Sequence, residues 1–448
     1  MSKPEHPPKK LSSVDVTAGH NATGVGFANA LRSTIKTLIF GGIYFLFEIP
    51  RQTKLFRALG GHLDQNPGRP ASESVAALDS RSKRRFRRVV LWRAVRGRND
   101  ISADAAGAVL DAMETTLRAG SAPFPPVQQV EQIDVAVTTA ESVHASFVAS
   151  PSPVVLHGFD FSAVNHWTLD WFVENYGDTT VLFSNEVENF KAPLSTLKSS
   201  DDKSLYLHNS ENLLVRNPSL VSDLRLDRFA SFVKKAHNST QLFIGPARGT
   251  GLGFHCANNF NIFINIQGRK KWTLVPPDDS YLMYPMMSAS GAYFSSSVMY
   301  PQSADLDRFP LYRHARKLEV VLEPGDVLLN PPWWWHSVEN LTPQTIAVST
   351  RWTIRRDPSS NVLFLAAQGV SPRFMAAFWR AVYKVLASQS MAGRPIEDDS
   401  KTSFERNSHT VESLAAATVY REPDRVWGAH ASSARAQERR DDPSAAGR

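Results

Sequence analysis

The chain has 448 residues, enough for one large or two ordinary domains with a sizeable core. It is 42% hydrophobic, and a formal net charge of +7 is mild for this length, which argues against general coating of nucleic acid. One cysteine, Cys256, rules out an intramolecular disulfide and so a disulfide-stapled secreted scaffold, without proving an intracellular home; it reads as a small buried apolar residue.

Residues 1–30 are polar, rich in Ser, Thr, Lys and Pro, and read as disordered. Residues 31–60 contain an uninterrupted apolar run, LIFGGIYFLF (38–47), with Arg32 and Lys36 before it and Arg51, Lys54 and Arg57 after it. The run is about half the ~20 residues that a spanning helix needs, and it starts too far from Met1 for a simple secretory signal. It fits a helix lying in a membrane interface or one docked on the folded domain. Residues 61–126 form a basic helical region. Residues 60–79 read as a turn-rich linker. From Arg81 to Arg98 come Arg81, Lys83, Arg84, Arg85, Arg87, Arg88, Arg93, Arg96 and Arg98 with no acid, interleaved with Phe86, Val89, Val90, Trp92 and Val95. This amphipathic basic helix suits anionic lipid, RNA or an acidic partner, or a solvated basic face packed by its apolar side. Anionic membrane contact through 31–98 is the expectation, and nucleic acid is disfavoured because the rest of the chain is nearly charge-balanced. A further helix is expected over 102–117, capped by Ser102, with Ala106, Val109, Leu110, Met113 and Leu117 as its stripe. A proline-rich linker covers 122–127.

A larger unit follows over 140–356. Residues 167–176 read as a helix and 181–183 as a strand. Residues 220–234 read as helix or loop, leading into a strand at 241–244. The stretch 242–277, LFIGPARGTGLGFHCANNFNIFINIQGRKKWTLVPP, is its centre. Over 259–266 the odd positions are Asn259, Asn261, Phe263 and Asn265, and the even ones are Phe260, Ile262, Ile264 and Ile266. Successive side chains of a strand alternate faces, so one face is apolar and the other asparagine-lined, as on the inside of a small barrel with a polar cavity; an edge strand with a wet face is the alternative. Residues 322–335, LEPGDVLLNPPWWW, hold a turn at 324–326 and a short strand at 327–330, then lead through three tryptophans into His336. His255 and His336, each on a short strand, form a candidate metal pair.

Taken together, PVVLHGF (153–159), WTLDWFVENYGD (167–178), FIGPARGTG, NIFINIQGRKKWTLVPP, EPGDVLLNPPWWWH and AVSTRW (347–352), in this order, resemble the JmjC and cupin-like hydroxylases. The resemblance covers about 147–352. It implies an all-β core, a double-stranded β-helix of the jelly-roll type, with helical additions at both ends. It implies an iron(II)- and 2-oxoglutarate-dependent dioxygenase acting on a protein or other bulky substrate. By position, His255 and His336 match iron ligands, Lys270 matches the lysine that pairs with the far carboxylate of 2-oxoglutarate, and Asn261 matches a polar residue near its other end. The Tyr- and Met-rich insertion at 281–301 falls at the barrel mouth, as a lid or as a packed loop. Residues 357–391 read as one or two C-terminal helices, which in the family often form a homodimer. Residues 392–448 read as a disordered tail.

One position departs from the pattern. The family's carboxylate ligand belongs two residues after His255, on the same strand face, and that residue is Ala257. Asn259 lies roughly 13 Å along an extended strand from His255, too far to substitute. Three readings remain open. The site is degenerate and the domain is a non-catalytic binding module. Or iron is held by two histidines and an exogenous anion, as in halogenases of another 2-oxoglutarate branch. Or a carboxylate arrives from elsewhere.

Overall fold

The computed structural model describes residues 72–96, 107–120, 124–139, 142–145 and 151–376, apart from 186–188, 203, 230–236, 289–290, 292 and 353–360. The apolar run at 38–47, the proposed cap Ser102 and the polar tails lie outside the described residues. Among those described, no helix is long and apolar enough to cross a membrane.

Three helices precede the barrel: α1 (Glu73–Ala77), α2 (Ser80–Arg96) and α3 (Gly107–Ala119). Helix α1 corrects the expectation of an unbroken linker over 60–79. The Ser72 hydroxyl accepts from the Val75 amide and caps it, a local signal stronger than the turn-rich composition around it. The strands then run β1 (Gln128–Gln129), β2 (Glu131–Asp134), β3 (Val154–His157), β4 (Thr180–Ser184), β5 (Asn189–Pro193), β6 (Tyr206–Ser210), β7 (His237–Gly245) and β8 (Gly251–Ala257). They continue with β9 (Phe260–Gln267), β10 (Lys270–Val275), β11 (Pro285–Met287), β12 (Tyr293–Ser296), β13 (Leu318–Leu322), β14 (Val327–Asn330), β15 (Trp335–Asn340) and β16 (Thr345–Trp352). Helix α4 (Leu169–Tyr176) lies between β3 and β4, and α5 (Val362–Val370) follows β16.

The strands form two sheets, ordered β1-β13-β10-β15-β8-β12-β11 and β2-β3-β14-β9-β16-β7-β6-β4-β5. Within each of the runs β7–β10 and β13–β16, successive strands alternate between the sheets: β8, β10, β13 and β15 sit in the first, and β7, β9, β14 and β16 in the second. That winding is the expected double-stranded β-helix or jelly roll. Strands β1 and β2, upstream of residue 140, add a parallel pairing to each sheet.

The parity read from β9 holds in space. Phe260, Ile262, Ile264 and Ile266 pack outside the barrel with Trp167, Phe172 and Leu207. Phe263 faces inward, against Trp272, Trp334 and Phe243. A third cluster joins Phe86, Val90 and Ala94 of α2 and Met113 of α3 to Tyr281, Phe294, Trp333, Trp335 and Phe364. Each large apolar side chain buried there contributes about 1.5–3 kcal/mol. The 281–301 insertion is largely a packed extension: Leu282 and Met283 are fully buried, and β12 pairs with β8 at the edge of the first sheet. Phe364 of α5, in the first of the expected C-terminal helices, stacks within this chain on Phe294 with ring centroids 3.9 Å apart. Residues 377–391 of the expected C-terminal helices fall outside the described residues.

Candidate functional site

Antiparallel pairing sets His255 of β8 opposite His336 of β15, with ring centroids 4.1 Å apart. The Nδ1 of His255 lies 2.9 Å from the Gly253 carbonyl, and the Nδ1 of His336 lies 2.9 Å from that of Trp334. A carbonyl only accepts, so each Nδ1 carries the proton and each Nε2 keeps its lone pair. Burial pushes His255 down to about 4, helped by the positive charge of Arg351 and resisted by the Gly253 carbonyl. Burial likewise holds His336 well below the usual imidazole range, with His255 and Arg351 adding to it. Both rings are therefore neutral at pH 7, with tautomer and orientation fixed by backbone acceptors, which is the form that ligates a metal. Trp272 stacks on His336 at 5.3 Å and closes that side.

The end of β8 is tied down by a strained residue. Trp333 has φ of +63°, and its amide donates to the Ala257 carbonyl at 2.7 Å. A left-handed bulky residue costs of order 1–3 kcal/mol and persists only where its surroundings hold it. Here it joins the residue two after His255 to the residue three before His336. Ala257 itself pairs with Tyr293, whose ring stands 6.4 Å from His255. Among the described residues, no group of three His, Cys, Asp or Glu side chains is placed to hold a metal. The expectation of a carboxylate arriving from elsewhere thus finds no candidate among them. The residues present fit a metal as two neutral nitrogen donors and not as a two-histidine, one-carboxylate set.

Lys270 opens β10 directly after a tight turn. Gly268 has φ of +73°, and a Cβ there would lie 2.1 Å from the Gln344 carbonyl oxygen, so glycine is required to bring β9 round into β10. The Lys270 side chain is wholly buried, and its Nζ donates to Asn340 Oδ1 at 2.5 Å and Thr345 Oγ1 at 3.0 Å. The Tyr206 ring lies 5.9 Å from Nζ. Burial pushes the ammonium down to about 7. Both acceptors are neutral, and among the described residues no carboxylate offsets the desolvation. An ammonium in that setting is costly until an anion reaches it.

Asn261 lies level with Asn330 on β14 and with Arg351 on β16. The Ser349 hydroxyl donates to its Oδ1 at 2.7 Å. Tyr206, Asn330, Asn340, Thr345, Ser349 and Arg351 were not singled out by reading the sequence. For Ser349 and Arg351 a signal existed: they alternate with Val348, Thr350 and Trp352, as the asparagines of β9 do with their isoleucines. A separate cavity of about 620 Å³ involves Lys271, Thr273, Ser337 and Glu339, the residues that alternate with Lys270, Trp272, His336 and Val338. It therefore lies on the outer face of that sheet.

A family model described as a cupin-like domain matches residues 140–357. The chain is 37% identical over 122 residues to HSPB1-associated protein 1 homolog of Danio rerio, covering 25% of this chain and 26% of that protein. It is 28% identical over 220 residues to tRNA wybutosine-synthesizing protein 5 of Mus musculus, covering 42% and 66%. It is 29% identical over 217 residues to Lysine-specific demethylase JMJ21 of Arabidopsis thaliana, covering 44% and 23%. The chain thus spans about a quarter of the length of the HSPB1-associated protein it matches. Jelly-roll topology, the paired histidines and this match agree, and residues 140–357 are a cupin-like domain of the JmjC-like kind.

Proposed function

We propose that this domain binds 2-oxoglutarate, with its far carboxylate on Lys270, next to an iron(II) centre formed by His255 and His336, and hydroxylates a protein side chain or another bulky substrate. The observation that carries the reading is Lys270: a fully buried ammonium with two neutral acceptors and, among the described residues, no counter-charge, in the same barrel as two neutral imidazoles. Lys270 anchors the co-substrate, and Asn261 orients its other end. Trp272 and Phe263 exclude water, and the Gly253 and Trp334 carbonyls hold the imidazoles in their donor tautomer. Iron(II), when bound, supplies the activation of oxygen. One observation favours a second reading. Without a carboxylate at Ala257, the domain would serve as a binding module, or would need an exogenous anion such as chloride at that position.

Ala257→Asp separates these readings, because it places an anionic oxygen on the same strand face as His255. The variant is expected to hold iron(II) at least about tenfold more tightly than wild type and to consume 2-oxoglutarate without its substrate. If wild-type turnover needs halide and the variant's does not, an exogenous anion completes the native site. If neither protein binds iron(II) or 2-oxoglutarate in calorimetry, the enzyme reading is wrong and the binding module stands.

A further inference from the structure

The nine-stranded sheet turns a row of polar side chains toward the histidines. Asn330, Asn261 and Arg351 are register partners across β14, β9 and β16, so they share one face. The Asn330 amide lies 3.3 Å from His336 Nδ1, which shows where that face points. Among the described residues, the buried Nε of Arg351 has no hydrogen-bond partner. Among the described residues, Glu211 is the carboxylate whose charge bears on this guanidinium, and its Oε1 accepts from Gln241 Nε2 at 3.3 Å. A guanidinium stays charged in proteins, and its planar fork matches a carboxylate.

The balance of charge gives this row its meaning. In a complete two-histidine, one-carboxylate site, a divalent metal and its anionic ligand leave one net positive charge facing the co-substrate. Here the anionic ligand is missing at Ala257, and Arg351 brings one positive charge of its own. We infer that Arg351 stands in for the metal as the charge that holds the histidine-end carboxylate, so that the dicarboxylate binds in the absence of any metal ion. This rests on the reading of Lys270 as the other anchor. Lys270 reaches Thr345 at the start of β16, and Arg351 stands near its end, so the two cations occupy opposite ends of one pocket wall.

The test is calorimetric titration of the full chain with 2-oxoglutarate, once in excess chelator and once with manganese(II). Wild type is expected to bind equally in both. Arg351→Gln is expected to lose about tenfold to a hundredfold in chelator, with Arg351→Lys retaining most of the affinity. Binding by wild type only with manganese(II), or unchanged binding by Arg351→Gln, overturns the inference and leaves the proposed function standing. No binding by wild type in either condition removes the proposed function itself. A measurement on wild type alone guards against misfolded variants: in chelator, 2-oxoglutarate should protect Arg351 from phenylglyoxal, read by mass spectrometry, and full modification counts against the proposal.

Discussion

Lys270 sets a proton equilibrium that reports on the pocket. Its ammonium sits at about 7 in the folded chain against an ordinary value of 10.5, because burial disfavours the charge. Between those values the unfolded chain holds a proton that the folded chain has released, so stability rises with pH across this window. Lys270→Met is expected to abolish that rise in denaturant titrations at pH 7 and pH 9, and to abolish 2-oxoglutarate binding as well. A bound carboxylate reverses the desolvation and draws the proton back. At pH 8, binding should therefore be accompanied by net proton uptake, seen as a dependence of the calorimetric heat on buffer ionisation enthalpy. No such dependence would mean that Lys270 does not pair with the ligand.

Helix α2 divides its side chains between two tasks. Phe86, Val90 and Ala94 are buried against the barrel, and Arg87 Nε donates to the Tyr281 hydroxyl at 2.8 Å. Arg81, Arg84, Arg85, Arg88 and Arg96 face outward, and Trp92 is 56% exposed with the Arg96 guanidinium 4.3 Å over its ring. The helix thus has one packed face and one exposed basic face. We propose that the outer face meets anionic membrane, each basic residue contributing about 1 kcal/mol near the surface. The protein is expected to pellet with phosphatidylserine vesicles and to be released by salt. Serine at Arg81, Arg84, Arg85 and Arg88 together should leave it in the supernatant. Equal recovery on neutral vesicles would end this proposal.

At the scale of the whole molecule, the helical additions are structural parts of the barrel. Phe364 of α5 is fully buried between Phe294, Trp333 and Trp335, and the same cluster takes in Phe86 of α2. Phe364→Ala is expected to cost about 3–5 kcal/mol of unfolding free energy, measured in guanidinium, while leaving one cooperative transition. A separate early transition for the helices would show instead that they fold apart from the barrel.

Reading the chain by its own chemistry went furthest where the chemistry is local. Alternation in β9, the turn after Leu322 and the glycine before Lys270 constrain backbone and side-chain direction over a few residues, and strand, face and hairpin follow from them. The absence of a donor at Ala257 is equally local, since strand parity alone says where that side chain points. What stayed hidden depends on distance in space. The ring separation of His255 and His336, the neutral acceptors around the buried Lys270 ammonium, the buried Nε of Arg351 and the neutral state of both imidazoles arise only when β8, β10, β15 and β16 are brought together. Burial and fields are sums over those neighbours, which makes Arg351 one basic residue in a strand when read along the sequence and a positive charge facing two imidazoles once the barrel has closed.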